Sequence, residues 1–449
     1  MGRQPFGLAS PAAFLRPRGH EVMCLDLSRQ RLQEAEIARA GLIAFFVPMH
    51  TAARLAIAAL PRIQQLNPAA HICFYGLYAP LNEPYLRELG AGSVLGGEFE
   101  EALVRLAGRL AGYSTQLAAP EPAPASSDTI SLSRLTFPTP DRAGLPPLKN
   151  YSHVILPSGE HRVTGYTEAS RGCKHLCRHC PIVPVYNGVF RVVDREAVLA
   201  DIRQQVAAGA RHITFGDPDF FNGPGHVLPI VESLHREFPE LTYDVTIKVE
   251  HLLKEQKLLP TLRDTGCLFV TSAVESLDDA VLEKLAKGHT RADFFEVLKL
   301  FRALGMNLLP TFVPFTPWTT AENYLDLLQV LRDEELVANV SPIQLGIRLL
   351  IPAGSRLLEL PDIAALVGKF DPRSLAHPWR HPEPKMDALC EEVLRLVASG
   401  ERFHKSRPAI FDQTYRAARD AAGLQAEFAP LPVPVASAAA PYLNEPWYC

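Results

Sequence analysis

The 449-residue chain lacks an excess of either charge: 45 Lys and Arg stand against 49 Asp and Glu, a formal net charge of -4. No basic stripe stands out, so nothing in the electrostatics asks for DNA or RNA, whose phosphates demand clustered cations. Long apolar runs are also missing. None approaches the roughly 20 residues that span a bilayer, and the N-terminus has no basic region followed by a hydrophobic stretch and a small-residue cleavage site. These absences argue against a membrane span and a secretory leader, and make the cytoplasm the expected compartment. A disulfide framework is absent too. Cys24, Cys73, Cys267, Cys390 and Cys449 are scattered, as reduced thiols are, and the first three sit in apolar, strand-like runs that read as core. No internal repeat is visible.

What is present is a 47% hydrophobic chain long enough for two or three domains. From Gly7 to about Leu110 helix and strand alternate: a helix over Gly7 to Arg18, strands over Glu21 to Leu27, Gly41 to Val47, His71 to Tyr75 and Ser93 to Leu95, helices over Thr51 to Leu66 and Glu98 to Leu110. Such alternation predicts an α/β fold with a parallel, doubly wound sheet of flavodoxin-like order. Its first strand has no counterpart, because only six residues precede the first helix, so the expectation is that Met1 lies inside a longer reading frame. Residues 113–136 are rich in Ala, Pro and Ser and read as a linker. From Arg162 to Gly354 alternation resumes, with strands over Val163 to Ala169, His212 to Phe215, Thr242 to Val249, Cys267 to Ala273, Asn307 to Phe312 and Ile343 to Ile347. Helices over Asp194 to Ala208, Ala280 to Leu285 and Ala292 to Ala303 separate some of them. Six strands with crossovers predict a partial (β/α)6 barrel. The expected division is an α/β domain at 1–112, the linker, the barrel at 137–354, and a C-terminal helical region and tail at 355–449, with a helix over Met386 to Ala398 and an extended stretch over Ala429 to Pro441.

The remaining three cysteines are concentrated in Arg171-Gly172-Cys173-Lys174-His175-Leu176-Cys177-Arg178-His179-Cys180-Pro181. Thiolates of Cys173, Cys177 and Cys180 at this Cx3Cx2C spacing can reach three corners of a 4Fe-4S cube, and no fourth cysteine stands nearby to take the last iron. That iron is left open for a cofactor or substrate. The best competing reading is structural zinc, since His175 and His179 lie in the same loop and Cys3His is a common zinc set. Zinc sites usually join two separated ligand pairs, which this loop lacks. Three metal-free thiolates would repel one another and invite oxidation.

The spacing resembles the signature of the radical S-adenosylmethionine (radical SAM) superfamily. The resemblance implies a 4Fe-4S cluster on the three cysteines, S-adenosylmethionine chelated to the free iron, and one-electron cleavage of its sulfonium to a 5′-deoxyadenosyl radical. It also implies an electron donor such as flavodoxin or ferredoxin and a small-molecule or peptide substrate. After the second barrel strand, Gly216-Asp217-Pro218-Asp219 resembles the turn that binds the methionyl amine. A helix-capping turn is the other reading of those acids. Ser272 and Glu275, at the end of the fourth strand, resemble the position that reaches the ribose hydroxyls or the cofactor carboxylate, with Glu275 the stronger candidate. Val313 and Phe315 occupy the place of the adenine contacts and Trp318 that of a cavity wall, against core packing as the alternative. Arg348, in an apolar run, is expected to meet a carboxylate of cofactor or substrate. Lys248 and Glu250 are expected to alternate on the third strand toward the lumen, or to form a salt bridge.

Two further resemblances lie at the ends. The N-terminal sheet resembles a cobalamin-binding domain, with Gly76, Gly97 and Glu98 at positions where backbone approaches the corrin, which makes cobalamin a candidate cofactor. The Asp-x-His-x-x-Gly motif that supplies an axial histidine is missing, and His50 reads as a helix-capping or surface residue. The C-terminus, Asn444-Glu445-Pro446-Trp447-Tyr448-Cys449, resembles the radical SAM family named for its CUAEP or CCAEP tail. Segments Phe315-Thr316-Pro317-Trp318 and Arg348-Leu349-Leu350-Ile351-Pro352 agree with that family. The likeness implies a catalytic role for Cys449 and a selenocysteine codon read as stop directly after it. A naturally short tail is the other reading.

Overall fold

The computed structural model describes residues 2–112, 129–424 and 440–444. The tail with Cys449, most of the expected linker and most of the stretch from Ala429 lie outside the described residues. The N-terminal sheet has four strands, all parallel and in chain order: β1 (Leu42–Phe46), β2 (His71–Tyr75), β3 (Ser93–Gly97) and β4 (Ile130–Ser131). The sequence predicts β1 to β3 because they are short apolar runs bounded by turn residues. β4 falls inside the expected linker, two residues long and too short to leave a periodic signal.

Glu21 to Leu27 is not a strand. Asp26 spends that segment on a turn: its Oδ1 accepts from Ser28 N (2.9 Å) and Ser28 Oγ (2.7 Å), and its carbonyl accepts from Arg29 N and Gln30 N. Its Oδ2 accepts from the Tyr151 hydroxyl at 2.9 Å, which ties the turn to the barrel domain. A side chain that bonds its own backbone competes with strand pairing. β1 is therefore an edge of this sheet among the described residues. Helix Phe6–Leu15 packs against it so closely that a Cβ on Gly7 would sit 2.2 Å from the Phe46 ring.

The second sheet has seven strands. In chain order they are β5 (His153–Ile155), β6 (His161–Thr167), β9 (His212–Phe215), β10 (Thr242–Thr246), β11 (Cys267–Glu275), β12 (Asn307–Phe312) and β13 (Tyr442–Leu443), with the pair β7 (Ser170–Gly172) and β8 (Phe190–Val192) forming a separate ribbon. Their spatial order is β12-β11-β10-β9-β6-β5-β13. The run β6, β9, β10, β11, β12 is parallel, its crossover helices packing Val198, Ile230 and Val297 into one core with Leu328 of helix Ala321–Asp333, which follows β12. The hairpin strand β5 and then β13 extend the β6 end in antiparallel pairing.

The expected sixth barrel strand, Ile343 to Ile347, is instead a 3-10 turn over Pro342–Leu345. Gln344 turns its Oε1 onto Phe312 N (3.1 Å), where a neighbouring strand would have bonded, and only one bridge, Phe315 to Arg348, remains. The open seam is closed by side chains. Arg407, at the start of helix Arg407–Ala421, donates to the Ala338 carbonyl on one side and stacks on Tyr442 of β13 on the other. No helix among the described residues is long and apolar enough to cross a membrane.

Candidate cluster and cofactor site

The cysteine loop leaves the barrel at the carboxyl end of β6, where parallel barrels build their sites. Gly172 enters it with φ +72°, and a Cβ there would meet the Tyr186 ring and the Val189 carbonyl at 2.4 Å, so only glycine fits. The loop is pinned from outside by Arg178, whose backbone N–H donates to Leu285 O (2.9 Å) and whose Nη1 donates to Glu283 O and Lys284 O. These are the last carbonyls of helix Asp279–Leu285, where a cation is favoured. Cys177 is buried, while Cys173 and Cys180 are partly exposed. Burial pushes the Cys180 thiol up to about 12 and the Cys173 thiol upward. Three soft donors on one loop, without a fourth cysteine among the described residues beside them, fit a 4Fe-4S cluster with one open iron.

Around the loop lies a polar rim. Lys248 Nζ donates to His175 Nδ1 (3.1 Å) and to Glu250 Oε2 (3.0 Å), which leaves the His175 proton on Nε2, 3.4 Å from Asp219 Oδ2. His251 Nδ1 reaches the same Asp219 oxygen at 2.7 Å. Burial raises the Asp219 carboxyl, and the two histidines overcome that and hold it below its ordinary value. On the other side of the loop, Glu275 Oε1 lies 3.1 Å from His179 Nε2 and 3.4 Å from Lys287 Nζ. Burial would raise the Glu275 carboxyl; Lys287 and His179 overcome it and hold it at about 2. Glu275 has φ +68°, a left-handed conformation that costs a non-glycine residue on the order of 1 kcal/mol or more and tends to persist at functional sites.

The sequence candidates divide accordingly. Cys173, Cys177, Cys180, Asp219 and Glu275 come together. Gly216 is beside them, and its lack of a side chain is first a packing matter, since a Cβ would lie 1.8 Å from the Tyr166 hydroxyl. Asp217 spends both oxygens on the chain entering the loop, from Ala169 N (3.0 Å) and Ser170 Oγ (2.5 Å), and burial raises it to about 7. Ser272 is fully buried between Val270 and Val274 of the outer core, on the opposite strand face from the lumen-lining Thr271. Val313 and Trp318 pack in a satellite cluster with Leu285, Leu349 and Ile351, where Trp318 Nε1 donates to Asp362. Phe315 packs on Tyr324 at 4.8 Å. Arg348 finds its carboxylate within the chain, Asp387 at 2.6 Å, with its guanidinium 3.6 Å over Trp379. Lys248 and Glu250 lie past the end of β10, Lys248 just before helix Val249–Lys254 and Glu250 in its first turn, and they form the salt bridge rather than a strand pair. His50 is the buried first residue of helix His50–Leu66, bonded to the Ser374 carbonyl rather than set at the surface.

Sequence reasoning missed Lys287, His289, His251 and Arg171. Lys287 is 4% exposed in the turn after a crossover helix, and the signal was Lys287-Gly288-His289 at a helix end on the catalytic face. His289 beside it is driven down to about 4 by burial, Lys287 and Lys248. Arg171 is buried against Glu98, Glu100 and Glu168 and three aromatic rings, Phe6, Phe99 and Phe137. Burial and the neighbouring carboxylates raise Glu98 to about 7, against the pull of Arg171.

Below the rim a cavity of about 600 Å3 runs through the barrel lumen, past Thr246, Thr271 and Thr311, and out over the N-terminal sheet at Phe46, Gly76 and Gly97. Gly76 and Gly97 carry φ of +105° and +68°, and at Gly97 a Cβ would strike the Ser131 carbonyl at 2.1 Å.

The Radical SAM superfamily model matches residues 167–330, the segment that contains the cluster loop, β9 to β12 and the rim. Over this segment the barrel is similar to radical SAM domains. Such a domain carries a 4Fe-4S cluster and S-adenosylmethionine, in keeping with the three-thiolate set. The chain is 26% identical over 151 residues to the hopanoid C-3 methylase of Methylococcus capsulatus, covering 34% of this chain and 29% of that protein. It is 25% identical over 187 residues to the ribosomal protein uS12 methylthiotransferase RimO of Geobacter sulfurreducens, covering 38% of this chain and 40% of that protein. Matches to curated relatives thus span well under half of either chain. The fold resembles that of OxsB, a cobalamin-dependent S-adenosylmethionine radical enzyme solved with aqua-cobalamin and S-adenosylmethionine bound, with a TM-score of 0.65 at 16% identity over 89% of this chain and 64% of that one. That likeness extends the shared fold across both sheets.

Proposed function

We propose that this chain reductively cleaves S-adenosylmethionine and directs the resulting 5′-deoxyadenosyl radical at a substrate held in the barrel lumen. The observation that carries the reading is the grouping of Cys173, Cys177 and Cys180 with Asp219 and, through Lys287, with Glu275 around one loop, next to a cavity lined by Gly172 and Asp217. When bound, the cluster supplies the electron that splits the sulfonium. The chain's own work is to orient and to exclude water. Asp219, held below its ordinary value by His175 and His251, and Glu275, held there by Lys287 and His179, offer carboxylate charge to an ammonium or to hydroxyls, and Lys248 and Lys287 offer donors to a carboxylate. An electron donor of the flavodoxin or ferredoxin class, in a reducing compartment such as the cytoplasm, completes the reading.

A second reading adds a corrin, so that the reaction is cobalamin-dependent methyl transfer. The cavity's continuation over the N-terminal sheet, where Phe46, Gly76 and Gly97 line it, favours this reading. Retention of hydroxocobalamin after anaerobic reconstitution tests this reading, and a spectrum insensitive to His50→Ala is expected.

The main test is anaerobic reconstitution with iron and sulfide, followed by dithionite and S-adenosylmethionine. About four irons and release of 5′-deoxyadenosine are expected, with loss of cleavage on changing Cys173, Cys177 or Cys180 to Ala. Cys173, His175 and Asp219 have ligand atoms within 4.8 Å of one another, so stoichiometric zinc without iron in protein kept from oxygen would overturn the proposal.

A further inference from the structure

Two charged groups line the cavity without a use at the cluster rim. Asp244, midway along β10, is 4% exposed. One of its oxygens accepts from both His212 Nε2 (2.9 Å) and Thr214 Oγ1 (2.6 Å). The other has no hydrogen-bond partner among the described residues. His212 is itself fixed by Thr242 Oγ1 at 2.9 Å, so the carboxylate is held rigidly with one face open. On the far side of the curled sheet, at the seam, stands Arg407. Its Nη1 donates to Ala338 O at 2.5 Å and its guanidinium lies 4.2 Å from the Tyr442 ring centre. Among the described residues no carboxylate pairs with it, and its Nε and Nη2 edge has no acceptor. Burial lowers its pKa, with no acidic neighbour to restore it.

A buried carboxylate with one oxygen unbonded and a half-buried guanidinium without a carboxylate partner line the same cavity, and a guest that bonded both would use hydrogen-bonding capacity the described residues leave over. The open edge of Arg407 is the side that meets a planar carboxylate through two parallel hydrogen bonds, and stacking on Tyr442 fixes its plane. Asp244, when ionised, accepts only, so its partner carries an O–H or N–H. Thr246, Thr271, Thr311 and Ser341 line the cavity as well and suit a polar guest.

We propose that the lumen binds a small organic carboxylate bearing a hydroxyl or amino group, the carboxylate on Arg407 and the hydroxyl or amine on Asp244. This rests on the reading above only in taking that ligand as the substrate.

The test uses anaerobic, cluster-loaded protein in calorimetric titration and thermal unfolding. Its probes are the straight-chain acids from acetate to hexanoate, their terminally hydroxylated counterparts and inorganic phosphate, with chloride at matched ionic strength. Saturable binding of the acids is expected, with at least one hydroxy acid roughly tenfold tighter than its parent, as a charge-assisted hydrogen bond would give. Arg407→Met should abolish acid binding and Arg407→Lys, which keeps the charge without the fork, should weaken it. Acids that act no better than chloride, or that bind Arg407→Lys as well as the parent protein, would overturn the assignment. Binding of phosphate alone would replace the carboxylate by a phosphate ester, and hydroxy acids no tighter than their parents would remove Asp244. Cleavage of S-adenosylmethionine is scored separately. Its absence sinks the radical reading and leaves acid binding standing, whereas absent acid binding in cleaving protein overturns this inference alone.

Discussion

Arg171 grips Glu100 across the boundary between the two sheets through two parallel contacts, Nη2 to Oε1 at 2.8 Å and Nη1 to Oε2 at 3.0 Å. Arg171 stands two residues before the first cluster cysteine, and Glu100 opens helix Glu100–Leu110 of the N-terminal domain. Glu168 and Glu98 complete the surround at 2.8 and 3.5 Å, and Ser10 donates to Glu100 at 2.7 Å. The approach to the cluster is therefore held partly by the other domain.

Removing this guanidinium strands three carboxylates. Arg171→Met is expected to cost about 3–5 kcal/mol, the range for breaking a buried pair from one side, and to lower iron and sulfide content after reconstitution. Arg171→Lys keeps the charge but not the paired geometry and should fall between. Urea midpoints and metal analysis read both effects; an Arg171→Met protein with unchanged midpoint and full iron would show that the latch does not order the loop.

The same cluster makes stability depend on pH. Glu98 ionises at about 4.5 when unfolded and at about 7 when folded, so between those values the folded chain holds a proton that the unfolded chain has released. Stability from this group is full below about 4.5 and declines as pH rises toward 7. Glu98→Gln, neutral throughout, should flatten the profile and gain relative stability at pH 8. Parallel profiles for the two proteins from pH 5 to 8 would contradict this.

The fold was legible where a segment stands on its own periodicity. His71–Tyr75, His212–Phe215 and Asn307–Phe312 are buried apolar runs whose bounds follow from the sequence alone. Glu21 to Leu27 has the same apolar look, but Asp26 bonds its own turn and Tyr151, a partner 125 residues away that local pattern does not show. Likewise Ile343 to Ile347 loses its strand to the Gln344 side chain. At the site, the cysteine loop was plain because its chemistry lies in one short run. Arg348 was set against a cofactor, and its true partner Asp387 lies on a helix 39 residues on. Lys287 was missed because nothing local marks a lysine as buried.

Lys287 also has a redox consequence. Its ammonium is buried near Cys177 and Cys180, and although burial works against its charge, Glu275 and those sulfurs keep its pKa above the usual value. A fixed positive charge beside the cluster favours the reduced, more negative state. Lys287→Met is expected to shift the reduction potential downward and Lys287→Arg to leave it closer to the parent value, both followed by an EPR-monitored redox titration. An unchanged or higher potential in Lys287→Met would place the charge out of range of the iron.

Gly216 allows packing and cofactor contact to be separated. A Cβ at this position would lie 1.8 Å from the Tyr166 hydroxyl and 2.2 Å from its ring carbon, an overlap that the buried ring must relieve by moving. Gly216→Ala should therefore destabilise by about 1–3 kcal/mol, the usual cost of overpacking. Trimming Tyr166 to Ala opens that space, so in the double variant the introduced methyl group has room and the two changes should be strongly non-additive, with the second substitution recovering the loss caused by the first. Cleavage of S-adenosylmethionine then decides the role. If the glycine serves only to admit Tyr166, cleavage in the double variant should match Tyr166→Ala alone. If it also brings backbone close to the cofactor amine, the double variant should regain stability yet cleave more slowly than Tyr166→Ala. Additive stability losses in the cycle would refute the packing account itself.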